Sequence, residues 1–295
     1  MKKIDVINVG KISGYLKSGL PLLNKYINYE TDTIFITELA EKCVYKFGFD
    51  HWGHGMTNVD KIKEYNHRKI RTVIKNNMVD ISYDTGNIGL STLFANQPNH
   101  KLCIPTIMNV VKNTFKLYDI DALFVIPTEG NPVSMLVNGE QKYLGHVFYS
   151  NGFNDFKSGY AEFTMTFFDD RKSTILNEIR EMYSDKDMKK TCKYINDYKE
   201  IDIIDIIAEM GKILEGKVTP TQLTIDYTMQ LAKELDVEIN HRELTVDEKQ
   251  IFEHIENVQA DVNWIENAIH PDFPYLKELE GDKRHWKNTQ DYRRI

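Results

Sequence analysis

The residues best suited to chemistry fall in three short stretches. The first is MLVNGEQKYLGHVFYSN, residues 135–151, where an alternating apolar run is broken by Asn138-Gly139 and resumes around Lys142. Asn-Gly between two such runs is a hairpin signal, so Lys142 sits near the start of the second arm, shortly before Leu144-Gly145. Without a Cβ, Gly145 lets another chain or a ligand come close. An ammonium there could neutralise a phosphate, or steady a carbonyl oxygen as it gains negative charge. The second stretch is KNNMVDISYDTGN, residues 75–87, where strand alternation puts Asp80, Ser82 and Asp84 on one side and Gly86-Asn87 turn the chain beyond them. Such a rim can meet an amide or hydroxyl of a bound molecule, or it can be the wet face of an edge strand. The third is DHWGHGM, residues 50–56, where Asp50, His51 and His54 lie among glycines. No glutamate-containing His-x-x-x-His motif accompanies these histidines, so a loop beside a pocket, walled by Trp52, is favoured over a metal centre.

Composition narrows the classes that could use such groups. The chain has 295 residues, 41% hydrophobic and 27% charged, enough for a sizeable core under a soluble surface. Its formal net charge of -7 gives no general attraction to nucleic acid or anionic lipid. The basic clusters HRKIR and KRHWK are too brief to reverse that expectation. No segment approaches the apolar length that spans a bilayer, and the first residues lack the pattern of a cleaved leader. Cys43, Cys103 and Cys192 are widely spaced, as in a reduced, cytoplasmic protein. A cytoplasmic location without a membrane partner is therefore expected.

The elements that must position these groups follow from periodicity. Strands are expected at Ile4–Val9, Thr33–Ile36 and Cys43–Phe49, with a helix over Leu20–Tyr29 entered near Pro21. A helix from Pro105 to Tyr118 has Ile107, Val110, Val111 and Phe115 at helical spacing. DALFVI, the two hairpin arms and YAEFTMTFF then read as strands, and DDRKSTILNEIREMY begins a helix. Beyond about residue 185 the strand signals stop, and three helical segments follow. Thr219 with Pro220, and Thr245 with Glu248, are N-terminal caps of the last two, the latter pair a capping box. The expected division is a mixed-sheet domain over 1–200, a packed helical extension over 201–270, and a polar tail over 271–295.

The order of these pieces resembles the lipoate-protein ligases, octanoyltransferases and biotin ligases. In that family a strand and turn of the type Tyr-His-Asp-x-Gly-Asn lines the acyl pocket. Here the corresponding run is Ser82-Tyr83-Asp84-Thr85-Gly86-Asn87, which keeps the aspartate, glycine and asparagine but not the aromatic and histidine. The family's central lysine lies in Gly-x-Lys-(Ile/Val)-x-Gly, which GEQKYLGHVFY matches best through Lys142 and Gly145. The resemblance covers roughly residues 33–266 and rests on order and spacing more than on identity. It departs in four respects. Lys75-Asn76-Asn77-Met78-Val79 stands where the family has glycines. The family's arginine pair is out of register, although Arg71 and Lys75 bring positive charge nearby. Asn131-Pro132 replaces the family's Asn-Asp ahead of the hairpin, and no cysteine precedes the hairpin to serve as a thiol nucleophile.

The resemblance implies an α+β fold, a mixed sheet of the lipoate/biotin ligase type with a helical C-terminal extension. It also implies an acyltransferase or ligase that moves a lipoyl- or octanoyl-like group from an activated donor to an amine acceptor. Lys142 would be the catalytic group, with Asp84, Gly86, Asn87, Gly145, Arg71 and Lys75 binding substrate and no metal held by the protein's own side chains. A ligase would use ATP and magnesium, a transferase an acyl thioester donor. The partners implied are a small-molecule acyl substrate and a small acyl-carrier or lipoyl-type domain. The departures leave open a second reading, an inactive protein of the same fold that binds a carrier domain, a nucleotide or a partner enzyme.

Overall fold

The computed structural model describes residues 2–40, 43–47, 71–75, 82–83, 87–95, 100–125, 133–138, 143–150, 159–166 and 218–261. The helix expected after residue 170 and the segment boundaries at 200/201 and 270/271 lie outside these residues. A large sheet organises the rest. Its strands are β1 (Lys3–Ile12), β2 (Thr33–Leu39), β6 (Asn87–Phe94), β7 (Ala122–Val125), β8 (Val133–Asn138), β9 (Tyr143–Ser150), β10 (Gly159–Thr166) and β11 (Glu238–His241). They run in the order β11-β1-β2-β6-β10-β9-β8-β7. The two contacts of β1, with β11 and with β2, are parallel; every other neighbouring pair is antiparallel. A small sheet of β3 (Cys43–Phe47), β4 (Arg71–Lys75) and β5 (Ser82–Tyr83) has β3 in the middle.

The hairpin expected from Asn138-Gly139 is present as the antiparallel pair β8 and β9. Its register slips between Leu136 and Val137, which places an irregularity beside Leu144. The link itself, residues 139–142, lies outside the described residues.

Alternation along the strands gives the large sheet two buried faces. On one, Ile34, Leu90 and Phe163 pack under α3 (His100–Lys116) and α4 (Pro220–Leu235), whose Val110, Phe115 and Leu231 are fully buried. Phe163 stacks on Tyr227 at a ring separation of 6.2 Å and meets Phe115 edge to face at 6.0 Å. Burying side chains of this size contributes about 1.5–3 kcal/mol each, which offsets the ordering of the helices. On the other face, Phe35, Leu93 and Tyr160 lie under α1 (Gly14–Gly19) and α5 (Val246–Gln259). β4 of the small sheet also lies against α1, so both sheets share this second face.

Helix α1 begins at Ser13, whose hydroxyl accepts from Leu16 N at 3.1 Å. Gly19 lets α1 touch α5: a Cβ there would overlap Ile255 Cγ2 and approach Gln259 Cγ to 3.0 Å. The single helix expected over Leu20–Tyr29 is instead a helix ending at Gly19, a 3-10 turn Leu20–Leu22 and a short α2 (Leu23–Tyr26). Pro21 lacks an N–H, which explains the interruption. Helix α3 starts at His100, so Pro105 lies within it rather than at its start.

The C-terminal segment also differs from expectation by adding a strand. Both predicted caps are present: Thr219 accepts from Gln222 N at 3.1 Å, and Thr245 and Glu248 form the reciprocal capping box. Between the two helices Asp236 adopts a left-handed conformation (φ 52°, ψ 54°) that ends α4, a role aspartate fills better than most residues. The next residues, Glu238–His241, pair in parallel with Lys3–Val6 as β11. Four residues with no apolar alternation carry no strand signal of their own. The free edge of β1 supplies what they lack.

Candidate functional site

The sheet register brings Asn87 and Gly145, the described ends of two of the three stretches, to one end of the large sheet. Thr164 of β10 pairs with Gly89 of β6 on one side and His146 of β9 on the other, and Thr37 of β2 pairs with Gly89. These four positions form one row across the sheet. From this row β6 runs back to Asn87 and β9 back to Gly145, in the same direction, with only β10 between them. The two strand ends are therefore two strand spacings apart, about 10 Å. Asn87 follows β5 after three residues, so the small sheet is joined to the large one at this same end.

Backbone positions are described for Asn87, Gly145, Arg71 and Lys75, in β6, β9 and β4, while their side chains lie outside the described residues. Lys142, Asp84 and Gly86 lie outside them altogether, as do Asp80 and the DHWGHGM loop.

The same face of the sheet holds a buried polar network that the sequence reading did not single out. Lys17 of α1 reaches down to Glu162 of β10, Nζ to Oε1 2.9 Å, with both side chains 1% exposed. Thr164 Oγ1 donates to Glu162 Oε1 at 2.5 Å and Tyr160 Oη to Oε2 at 2.6 Å. Tyr160 Oη also lies 2.9 Å from Ser91 Oγ, which is 3.5 Å from Oε2. Burial, and then the Glu162 charge, push the Tyr160 phenol well above its ordinary pKa, so it stays a donor. Gly89 makes room for the arrangement: a Cβ there would come within 2.7 Å of Thr37 Oγ1 and 2.8 Å of Lys17 Nζ. Thr37 donates to Gly89 O at 3.2 Å. Taking both charges out of water costs several kcal/mol per ion, which is offset where the carboxylate meets the Lys17 ammonium and several hydroxyls. A legible sign existed, since Glu162 is the one carboxylate in the otherwise apolar and hydroxylic run GYAEFTMTFF.

A second polar cluster fastens the C-terminal elements. Arg242 donates Nη1 and Nη2 to Glu248 at 2.7 and 2.8 Å, and Nε to Asp5 at 2.6 Å. Asp5 also accepts from Asn240 Nδ2 at 2.8 Å, and Glu248 from Thr245 N at 2.8 Å. Burial raises the Glu248 pKa, but the hydrogen bonds from Arg242 and Thr245 outweigh it and hold the carboxyl below its ordinary value. Asp5, Arg242, Thr245 and Glu248 border an open cavity of about 300 Å³ together with Tyr29, whose phenol is pushed well above its ordinary pKa by burial and then by the Glu248 carboxylate. With the charges paired to one another, the cluster ties β1, β11 and α5 together. Among the described residues, no group of three or more histidine, cysteine, aspartate or glutamate side chains is arranged to hold a metal ion. No helix among them is long and apolar enough to cross a membrane.

This architecture is the mixed α+β fold of the lipoate/biotin ligase catalytic domain, with a helical extension. Similar solved structures include a lipoate-protein ligase A bound with ATP, at a TM-score of 0.65 and 10% identity, covering 90% of this chain and 98% of that one. A bi-partite lipoate protein ligase of Thermoplasma acidophilum, determined with its E2 lipoyl domain, has a TM-score of 0.60 and 10% identity over 90% and 96% of the two chains. LipL1 of P. falciparum in complex with lipoate follows at 0.52 and 14%, covering 89% and 73%. No protein-family model matches the sequence, and comparison with curated proteins gives no match. At such identities the likeness shows the fold, which is that of ligases, and leaves the reaction to be argued from the residues.

Proposed function

We propose that the chain is an acyltransferase or ligase that moves a carboxylic acyl group from an activated donor to an amine acceptor. The observation that carries this reading is the sheet register, in which the Asn87 end of β6 and the Gly145 end of β9 share one edge with only β10 between. Lys142, three residues before Gly145, would then supply an ammonium to the carbonyl or phosphate oxygens of the activated acyl group. Charge that develops in the transition state is stabilised best by a donor already fixed in a dry site. Asp84, Gly86 and Asn87 would orient the acyl group, and Arg71 and Lys75 on β4 would add positive charge for a nucleotide. The acceptor would be a lysine of a small carrier or lipoyl-type domain, a partner that the T. acidophilum ligase structure includes.

The substitution of Lys75-Asn76-Asn77-Met78-Val79 for the family's glycines favours a thioester donor as much as ATP with magnesium, because side chains would narrow a nucleotide floor. It also sustains the second reading, an inactive protein of the same fold that binds a carrier domain, a nucleotide or a partner enzyme. Native mass spectrometry separates the two. The protein is incubated with magnesium-ATP and lipoate, octanoate or biotin, and separately with an acyl-carrier thioester. A bound acyl-adenylate or a transferred acyl group, lost in Lys142→Ala, is the expected result. A Lys142→Ala protein that retains full transfer removes Lys142 from the mechanism, and no uptake from any donor favours the binding role.

A further inference from the structure

The large sheet ends at β11, and the outer edge of that strand is open among the described residues. Glu238 N donates to Lys2 O at 3.0 Å and Arg242 N to Val6 O at 3.1 Å, so Glu238, Asn240 and Arg242 turn their backbone groups toward β1. By alternation, the N–H and C=O of Ile239 and His241 face outward. No hydrogen bond reaches these groups among the described residues. Sheets commonly blunt such an edge with proline, lysine or a bulge. Glu238-Ile239-Asn240-His241 has none of these, and its register with β1 is continuous. The two sides of the edge differ in character. Ile239 packs on the core beneath α3 and α4. On the other side, Asn240 and Arg242 reach Asp5 at 2.8 and 2.6 Å, beside the open cavity that Glu30, Asp247 and Glu248 also line. The four carboxylates of this lining outnumber its one guanidinium, and Glu238 is exposed on the same side of the strand.

We propose that the β11 edge takes an extended segment of a partner protein in which lysines alternate with apolar residues. Added as the next strand, the segment exchanges backbone hydrogen bonds with Ile239 and His241. Its apolar side chains lie beside Ile239, and its lysines point toward Glu238 and the acidic cavity. Backbone pairing supplies the attachment, and the charge on one side selects the sequence. A second copy of this chain fits less well, because pairing two β11 edges would bring the same acidic groups together. The surface is also distinct from the candidate acyl site. Asp5 pairs with Thr33 and Thr33 with Leu93, six residues along β6 from Asn87. That is about 20 Å of strand, so the inference stands independently of the acyl-transfer reading.

The test is fluorescence anisotropy of the whole chain titrated into short, end-blocked, labelled peptides, one alternating lysine with valine and one alternating glutamate with valine. The lysine peptide should bind, the glutamate peptide should not, and raising salt from about 50 to about 500 mM should weaken binding severalfold. His241→Pro removes an outward N–H without touching the bonds to β1, a position where edge strands tolerate proline. It should lower affinity for the lysine peptide at least about tenfold. The double variant Glu30→Gln/Asp247→Asn should lower it severalfold while leaving the edge intact. Circular dichroism checks that each variant is folded; should His241→Pro fail to fold, the double variant and the glutamate peptide decide. Equal binding of both peptides, binding that folded His241→Pro leaves unchanged, or no binding at all overturns the proposal. Sedimentation that shows the chain dimerising, and His241→Pro preventing it, overturns it in favour of a second copy at this edge.

Discussion

Replacing Lys17 by methionine deletes one charge of a pair in which both side chains are 1% exposed. Methionine keeps most of the aliphatic length, so the change isolates the ammonium. Glu162 would remain buried, facing Thr164 at 2.5 Å, Tyr160 at 2.6 Å and Ser91 at 3.5 Å, but would lose the Lys17 ammonium. Removing one partner of a buried pair costs about 3–5 kcal/mol. The remaining hydroxyl donors place this case near the lower end, about 3 kcal/mol. At roughly 2–4 °C per kcal/mol for a chain of this size, the melting temperature should fall by about 6–12 °C. The assay is thermal unfolding by circular dichroism, extended to Glu162→Gln and the double variant Lys17→Met/Glu162→Gln. Because glutamine is neutral, the double variant should be more stable than the lysine variant alone, which makes the coupling between the positions visible. A Lys17→Met protein that melts within 2 °C of the parent, at about 1 kcal/mol or less, would refute the reasoning that the ammonium compensates a buried carboxylate.

Other expectations follow from the C-terminal elements. Glu248 has its pKa depressed in the folded state, so its contribution is present above the ordinary value of 4.5 and is lost as pH falls through the lower folded value. The protection of α5 amides against hydrogen exchange, relative to their intrinsic rates, should therefore fall below pH 4.5, and Glu248→Gln should flatten that dependence; identical profiles would contradict the clamp. Gly19→Ala would place a methyl into Ile255 Cγ2 and should destabilise by about 1–3 kcal/mol, measured in urea, whereas a neutral result would mean that α1 and α5 are not closely packed. Tyr29→Phe deletes a buried hydroxyl that has no well-formed hydrogen bond among the described residues, with Glu248 nearby, so stability should stay level or rise by up to about 1 kcal/mol; a loss above about 1 kcal/mol would reveal a bond from that oxygen to Glu248.

Much of this architecture was legible because it depends on local pattern. The period-2 runs that became β7, β8, β9 and β10 carry their own turn signals, and Thr219 and Thr245 cap helices through bonds spanning only three residues. The order of strands around Asn138-Gly139 and the Ser82–Asn87 run was enough to suggest the fold that the solved structures share. Elements that depend on a distant partner were misread. Glu238–His241 is a strand because β1 offers it an edge, and Leu20–Tyr29 breaks because Gly19 and Pro21 allow a turn where α1 meets α5.

The site divides along the same line. Sequence determined which strand ends carry the candidate groups, because residue order along a strand and through a hairpin is a short-range property. Only the tertiary structure decided that β6 and β9 bring those ends to one edge, and that Lys17 meets a carboxylate 145 residues away above a glycine. Pairing across a sheet and the closure of an ion pair depend on which surfaces exclude water together, and no local run of residues specifies that.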